Sequence, residues 1–391
     1  MMAGSSGHDL RVRAVGGMIF DLVVLGAGVV GISISQYFSE KYPDWNILLV
    51  EKNSRHGLGI SSRNSEVVHA GIYYPQDWLK SRLCIDGRTR LYPFLEKYCI
   101  PHKKRGKMIV AVTGRQVMAL KALFLSAMEK GVEGLQWMNG KEISVMEPEI
   151  TGIAGFFSRE SGVLSVDRYM AVLLNLFQAN GGGFLPATRF LNMQPKHGLM
   201  ELCFGSETDS EEQALTKRVV NATGLSADHT AKKAHFVDIP KIHYCKGHYY
   251  QVTGARNRFE HMVYPMPDET FLGIHITPDL SGELKLGPDA VYLPENVEDY
   301  SRFLTTRKIF VNDVKRYWPG VTAYVLEPAM IGIRPKLYRQ GEPARDFIIR
   351  SESIAGYPNW INLFGIESPG ITTSLAIGPY IDAHFFGEIR D

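Results

Sequence analysis

Three glycines and one carboxylate carry the first chemical signal. The run GAGVVG, Gly26 to Gly31, follows the apolar stretch FDLVVL, and Glu51 ends the next apolar stretch, NILLV. A diphosphate carries dense negative charge and can be held by backbone N–H groups at a helix N-terminus. That requires a backbone approach that side chains would obstruct. Gly26 makes the tight turn, Gly28 lets the diphosphate come close, and Gly31 lets the helix pack on the strand, with Val29 and Val30 in the same turn. Glu51 follows near the offset, roughly 20 residues, of the acid that accepts hydrogen bonds from an adenosine ribose. FAD and NAD share that half-molecule, so the cradle alone leaves both open. Two later stretches favour a flavin. VVNATG, ending in Ala222, Thr223 and Gly224, is an apolar strand with a small-residue end suited to closing over a cofactor. ESPGITTSLAIG places Gly370, Ile371, Thr372 and Thr373 at a helix start, where the helix dipole would stabilise negative charge on a reduced flavin.

Positioning these residues requires strand, turn, helix and second strand. MIFDLVVLGAGVVGISISQYFSEKY and NILLVEKN supply that order, a βαβ unit. DWLKSRLCIDGRTRLYPFLEKY spaces Leu79, Leu83, Leu91 and Leu95 as a helix, and QVMALKALFLSAMEKG and DRYMAVLLNLFQANGG are helices with glycine stops. KGHYYQVTG, HMVYPMP, FLGIHITP and GELKLGP read as successive strands of a mostly antiparallel sheet. SETDSEEQ, Ser206 to Gln213, reads as an exposed polar loop. The predicted fold is α/β: a Rossmann-like FAD-binding domain, discontinuous over 18–98, 152–232 and 327–391, plus a β-rich substrate domain over 99–151 and 233–326. Residues 1–17, Gly-rich and without an apolar core, read as a flexible leader.

The chain has 391 residues, of which 45% are hydrophobic, enough for a sizeable core. A formal net charge of +2 argues against a nucleic-acid binder. Cys84, Cys99, Cys203 and Cys245 show no zinc spacing, and no metal site is expected. Their pattern suits a reducing compartment, so the expected location is cytoplasmic. HKKRGK, His102 to Lys107, reads as a solvated basic turn; a membrane-surface contact, peripheral at the inner membrane, or an acidic partner is its alternative. Oligomeric state stays open.

The sequence resembles the D-amino-acid-oxidase-like (DAO) superfamily of flavoproteins, and within it the L-2-hydroxyglutarate dehydrogenase subgroup. GAGVVG, NSEVVHAGIYY, LKSRLCIDG, GKMIVAV, VVNATGLSAD, VYPMPDETFLGIHITPDLSGELKLGPDA, GIRPKL and ESPGITTSLAIG carry the resemblance from Asp21 to Ile381. SSRNSEVVH departs from the T-G-H-N-S-G run common in that subgroup, at Arg63 and Glu66, and GIRPK replaces a G-V-R-A-Q-like segment. The resemblance implies FAD as cofactor and hydride transfer from a small 2-hydroxy acid to flavin N5. The implied substrate is L-2-hydroxyglutarate, and a quinone or oxygen would take the electrons. An amino-acid or secondary-amine oxidase of the same superfamily is the alternative.

Oxidising an alcohol also needs a base for the hydroxyl proton, and histidine suits that task near neutral pH. His69 lies in the loop that the resemblance places against the flavin, with Lys52, Ser62, Arg63, Asn64 and Ser65 as further cofactor residues; a flavin-orienting role is its alternative. His275 alternates with Ile274 and Ile276 and is either catalytic or a satisfied core group. His248 has less context. Arg334 is the expected two-pronged partner of the substrate carboxylate. Lys336 could meet a second carboxylate, and Tyr249 and Tyr264 could donate hydroxyls, though aromatic strand residues also serve as core.

Overall fold

The computed structural model describes residues 18–206, 211–266 and 273–387. The expected leader over 1–17 lies outside them. Leu22–Leu25 and Ile47–Val50 are apolar throughout and wholly buried, as parallel strands covered on both faces must be. They pair in parallel, Leu22 opposite Ile47, and are joined through the helix Val29–Lys41. Val219–Asn221 pairs in parallel with the free edge of Leu22–Leu25, and Tyr357–Phe364 lies beyond it. Gly183–Leu185 and the antiparallel Ile348–Glu352 complete a six-stranded sheet. The glycine-rich turn therefore sits on a central strand.

Helices Val29–Lys41, Val166–Ala179 and Gly370–Ile381 pack into the core on one face of this sheet. Val166–Ala179 shows why: Val166, Tyr169, Met170, Leu173, Leu174 and Phe177 form one buried helical stripe. Gly181, with φ of 86°, follows that helix as a left-handed stop. The other face carries the helix Ala227–Lys233 and a small sheet that includes Thr188–Lys196, Leu199–Ser206 and Glu211–Thr216. The last two pair as antiparallel strands. Of the expected polar loop from Ser206 to Gln213, Ser206 and Glu211–Gln213 are strand, and 207–210 lie outside the described residues; cross-strand pairing overrides polar composition.

A second, nine-stranded sheet is built on the long antiparallel pair His243–Thr253 and Val325–Lys336. Leu284–Leu286, Ile276–Pro278, Met262–Pro265, Lys107–Ala111, Ala154–Ser158 and Leu135–Asn139 extend it in that order. Met262–Pro265 and Lys107–Ala111 pair in parallel, and the other pairings are antiparallel. Ala154–Ser158 and Val325–Lys336 belong to this sheet, so expected boundaries at 152 and 327 cut across it. Cross-sheet pairing, invisible in local composition, decides where both strands go.

The basic run also differs from expectation. Arg105 and Lys107 are buried. Lys107 opens a strand in the middle of the large sheet, and the Arg105 guanidinium donates to the carbonyls of Glu260 and Asp279. A solvated basic turn thus survives only in part. Cys84 and Cys245 are buried.

Candidate active site

One cleft of about 740 Å³ is lined both by the glycine turn and by the large sheet. Gly26 has a φ of 99°, and a Cβ there would lie 2.7 Å from the Ala222 carbonyl oxygen. A Cβ on Gly31 would lie 1.9 Å from the Gly26 oxygen, so Gly31 serves packing and does not line the cleft. Gly26, Gly28, Val29 and Val30 do line it. The Val29 N–H, at the open end of its helix, donates to Ser61 Oγ at 2.9 Å. Glu51 accepts from the Ala27 N–H at 2.8 Å and the Asn53 N–H at 2.9 Å, which holds its buried carboxylate at the cleft wall. Backbone held this close, a helix N-terminus facing the cleft and a fixed acid fit a dinucleotide diphosphate and its ribose.

Lys52, Arg63, Asn64, Ser65, Ala222, Thr223, Gly224, Gly370 and Ile371 line the same cleft. Lys52 pairs with Glu298 at 3.0 Å, and the Arg63 guanidinium lies over the Tyr300 ring at 4.1 Å. Asn64 shapes its loop by accepting from the Glu66 N–H and donating to the Ser61 carbonyl. Three expected cofactor residues face elsewhere. Ser62 is exposed and bonds the Gly59 carbonyl, because the turn Ile60–Ser62 gives the cleft position to Ser61. Thr372 and Thr373 are buried: Thr372 Oγ1 accepts the His69 N–H at 3.0 Å, and Thr373 Oγ1 donates to the Gly370 carbonyl. Their backbone packs on Gly87, where a Cβ would lie 2.2 Å from the Thr372 carbonyl oxygen. The N-terminus of Gly370–Ile381 still opens on the cleft through Gly370 and Ile371.

His69, His275, Arg334, Tyr249, Tyr264 and Lys336 come together at the cleft. His69 Nε2 lies 3.1 Å from Ser368 Oγ. Burial, with Lys107 and His275 nearby, holds its imidazole well below the usual histidine range. The neutral imidazole is therefore favoured. His275 is buried and stacks flat on Tyr264, with ring centres 3.5 Å apart. Arg334 Nη2 donates to the Asp289 carbonyl at 2.5 Å. Lys336 Nζ lies 2.7 Å from Glu367.

Lys80 and Glu367 also line the cleft and were not apparent from the sequence. Lys80 Nζ lies 3.2 Å from Glu367, and both are buried. Burial pushes the Glu367 carboxyl up, but Lys336, Lys80 and Arg334 outweigh it and hold the group down at about 2. Three cations thus face one carboxylate here, a net positive field inside low-dielectric walls. Lys80 reads in sequence as an ordinary polar helix position, with no local signal of burial. His248 does not line the cleft and is wholly buried behind it.

Residues 21–383 match the family described as DAO, FAD dependent oxidoreductase. The chain is 36% identical to the mitochondrial L-2-hydroxyglutarate dehydrogenase of Arabidopsis thaliana, over 93% of this chain and 83% of that protein. It is 27% identical to L-2-hydroxyglutarate dehydrogenase of Escherichia coli K12, over 93% and 92% of the two chains. Among solved structures, the L-alpha-glycerophosphate oxidase of Mycoplasma pneumoniae, dithionite reduced and with FAD bound, superposes with a TM-score of 0.81 at 23% identity over 93% of each chain. With the cradle and the cleft arranged as described, these matches place the chain in the FAD-dependent oxidoreductase family.

Proposed function

We propose that the protein oxidises L-2-hydroxyglutarate to 2-oxoglutarate. The observation that carries this reading is the excess of positive charge beside two histidines at one end of the cleft. Arg334 takes the carboxylate next to the carbinol through its planar fork. Lys336, with Lys80 behind it, supplies charge for the distal carboxylate, and Glu367 keeps both amines ordered. His69, held neutral and oriented by Ser368, accepts the hydroxyl proton. His275, fixed against Tyr264, bounds the carbinol, and Tyr249 stands within the same wall. FAD, when bound, supplies the two-electron acceptor for the hydride leaving Cα. The names of the relatives agree with this substrate.

Turnover needs a further acceptor, a quinone or oxygen. No helix among the described residues is long and apolar enough to cross a membrane, so we place any encounter with a membrane quinone at the protein's surface. Anaerobic mixing with L-2-hydroxyglutarate is expected to bleach the visible flavin band, with one 2-oxoglutarate formed per flavin. No bleaching with this or any small 2-hydroxy acid, together with peroxide release from amino acids, would replace the reading with amine oxidation.

A further inference from the structure

We propose that Asp289 and His248 are positioning residues that aim Arg334 at the substrate carboxylate; the proposal rests on the carboxylate-binding role assigned above. Arg334 is anchored through Nη2, which donates to the Asp289 carbonyl at 2.5 Å and approaches the Lys246 carbonyl and Cys245 Sγ at 3.5 Å. Its buried Nε has no hydrogen-bond partner among the described residues. The direction of the guanidinium fork therefore follows the backbone of residue 289.

That backbone is tied from behind. The Asp289 carboxylate accepts the His248 N–H at 2.7 Å, His248 Nδ1–H at 2.8 Å, and the Thr305 hydroxyl. His248 Nε2 accepts the Leu304 N–H at 3.1 Å. An acceptor at Nε2 places the ring proton on Nδ1, pointed at Asp289. The imidazole is thus a neutral clamp between Leu304 and Asp289. Burial pushes the Asp289 carboxyl up, but the bonds from His248 and Thr305 outweigh it and keep the acid ionised.

Both residues are buried and neither lines the cleft, whereas Pro288 and Ala290, on either side of Asp289, do. A buried carboxylate carries a desolvation cost. Here every donor that meets it serves to fix the turn holding Arg334.

The FAD-loaded enzyme is titrated with 2-oxoglutarate, whose C2 is already a ketone and cannot be oxidised again, and binding is read from the flavin absorbance. Asp289→Ala is expected to raise Kd about tenfold, with FAD content unchanged. Asp289→Asn keeps an acceptor for His248 and should stay within about threefold of the wild type. In an Arg334→Ala background, Asp289→Ala should add no further loss. A wild-type Kd for Asp289→Ala, or full additivity with Arg334→Ala, overturns the proposal. Should Asp289→Ala fail to hold FAD, His248→Phe and His248→Asn decide. The phenyl ring should weaken binding about tenfold, while the amide, still able to donate to Asp289, should not; equal values overturn the proposal. A wild type that ignores 2-oxoglutarate but responds to acetate defeats the substrate reading alone, and acetate then serves as the probe. No response to either removes the role of Arg334, and the proposal with it.

Discussion

The glycine-turn end of the cleft presents mostly main chain: Gly26, Gly28, Val29 and Val30 in one turn, backed by Glu51. The proposed substrate end presents side chains from distant segments: His69, Lys80, His275, Arg334 and Glu367. The first end works by the absence of atoms, the second by the balance of charges. Absence is written locally, because a missing Cβ has the same effect wherever the turn recurs. Balance exists only after folding brings the charges within reach of one another.

Substitutions can pull the two ends apart. The largest effect is expected from Gly26→Ala. It forces an L-residue to a φ of 99° and puts a carbon 2.7 Å from the Ala222 oxygen. The purified protein should be colourless, and a full complement of FAD would show that the cradle tolerates a side chain. His69→Gln should keep FAD but lower kcat by roughly 10²–10⁴; stopped-flow reduction by substrate checks this, and an unchanged rate moves the base elsewhere. At the charged wall, Arg334→Ala should cost about 100-fold in kcat/KM. Lys336→Met should raise KM about tenfold for a five-carbon diacid while leaving lactate alone. Equal loss for both substrates would deny Lys336 the distal carboxylate.

The smallest effect concerns stability. Burial lowers the Lys107 amine to about 7 from its usual 10.5. Between those values the unfolded chain holds a proton that the folded chain does not, so this residue makes stability rise with pH across that window. Lys107→Met should raise the thermal midpoint at neutral pH and flatten its climb toward pH 10. An unchanged slope would mean that the amine remains charged in its aromatic cage of Tyr264 and Tyr73.

The contrast between the two ends explains what was legible in the sequence. GAGVVG and Glu51 could be placed because strand, turn and helix follow one another along the chain. Arg334, His69 and His275 were found through residue type and resemblance, and the structure gathers them. Thr372 and Thr373 lie off the cleft because a helix start exposes only its first residues; the Thr372 hydroxyl meets the His69 N–H and its carbonyl packs on Gly87. Lys80 was missed because its burial depends on Glu367, far along the chain. Lys107 lay in a run whose composition suggests water, yet strand pairing in the large sheet buries it. The strands Ala154–Ser158 and Val325–Lys336 escaped their sheet for the same reason: pairing partners are not neighbours in sequence.

The order of strands around the cradle has a consequence for how the protein comes into being. Leu22–Leu25 leaves the ribosome early, but its neighbour Val219–Asn221 comes much later, and Tyr357–Phe364 and Gly370–Ile381 later still. The nascent chain therefore displays its nucleotide turn long before it owns the walls that would retain a nucleotide. The walls of the cradle are therefore complete only once residues 357–381 have been made. A chain interrupted before residue 357 would carry the whole GAGVVG signature and yet emerge pale, a substrate for quality control rather than a weakened enzyme.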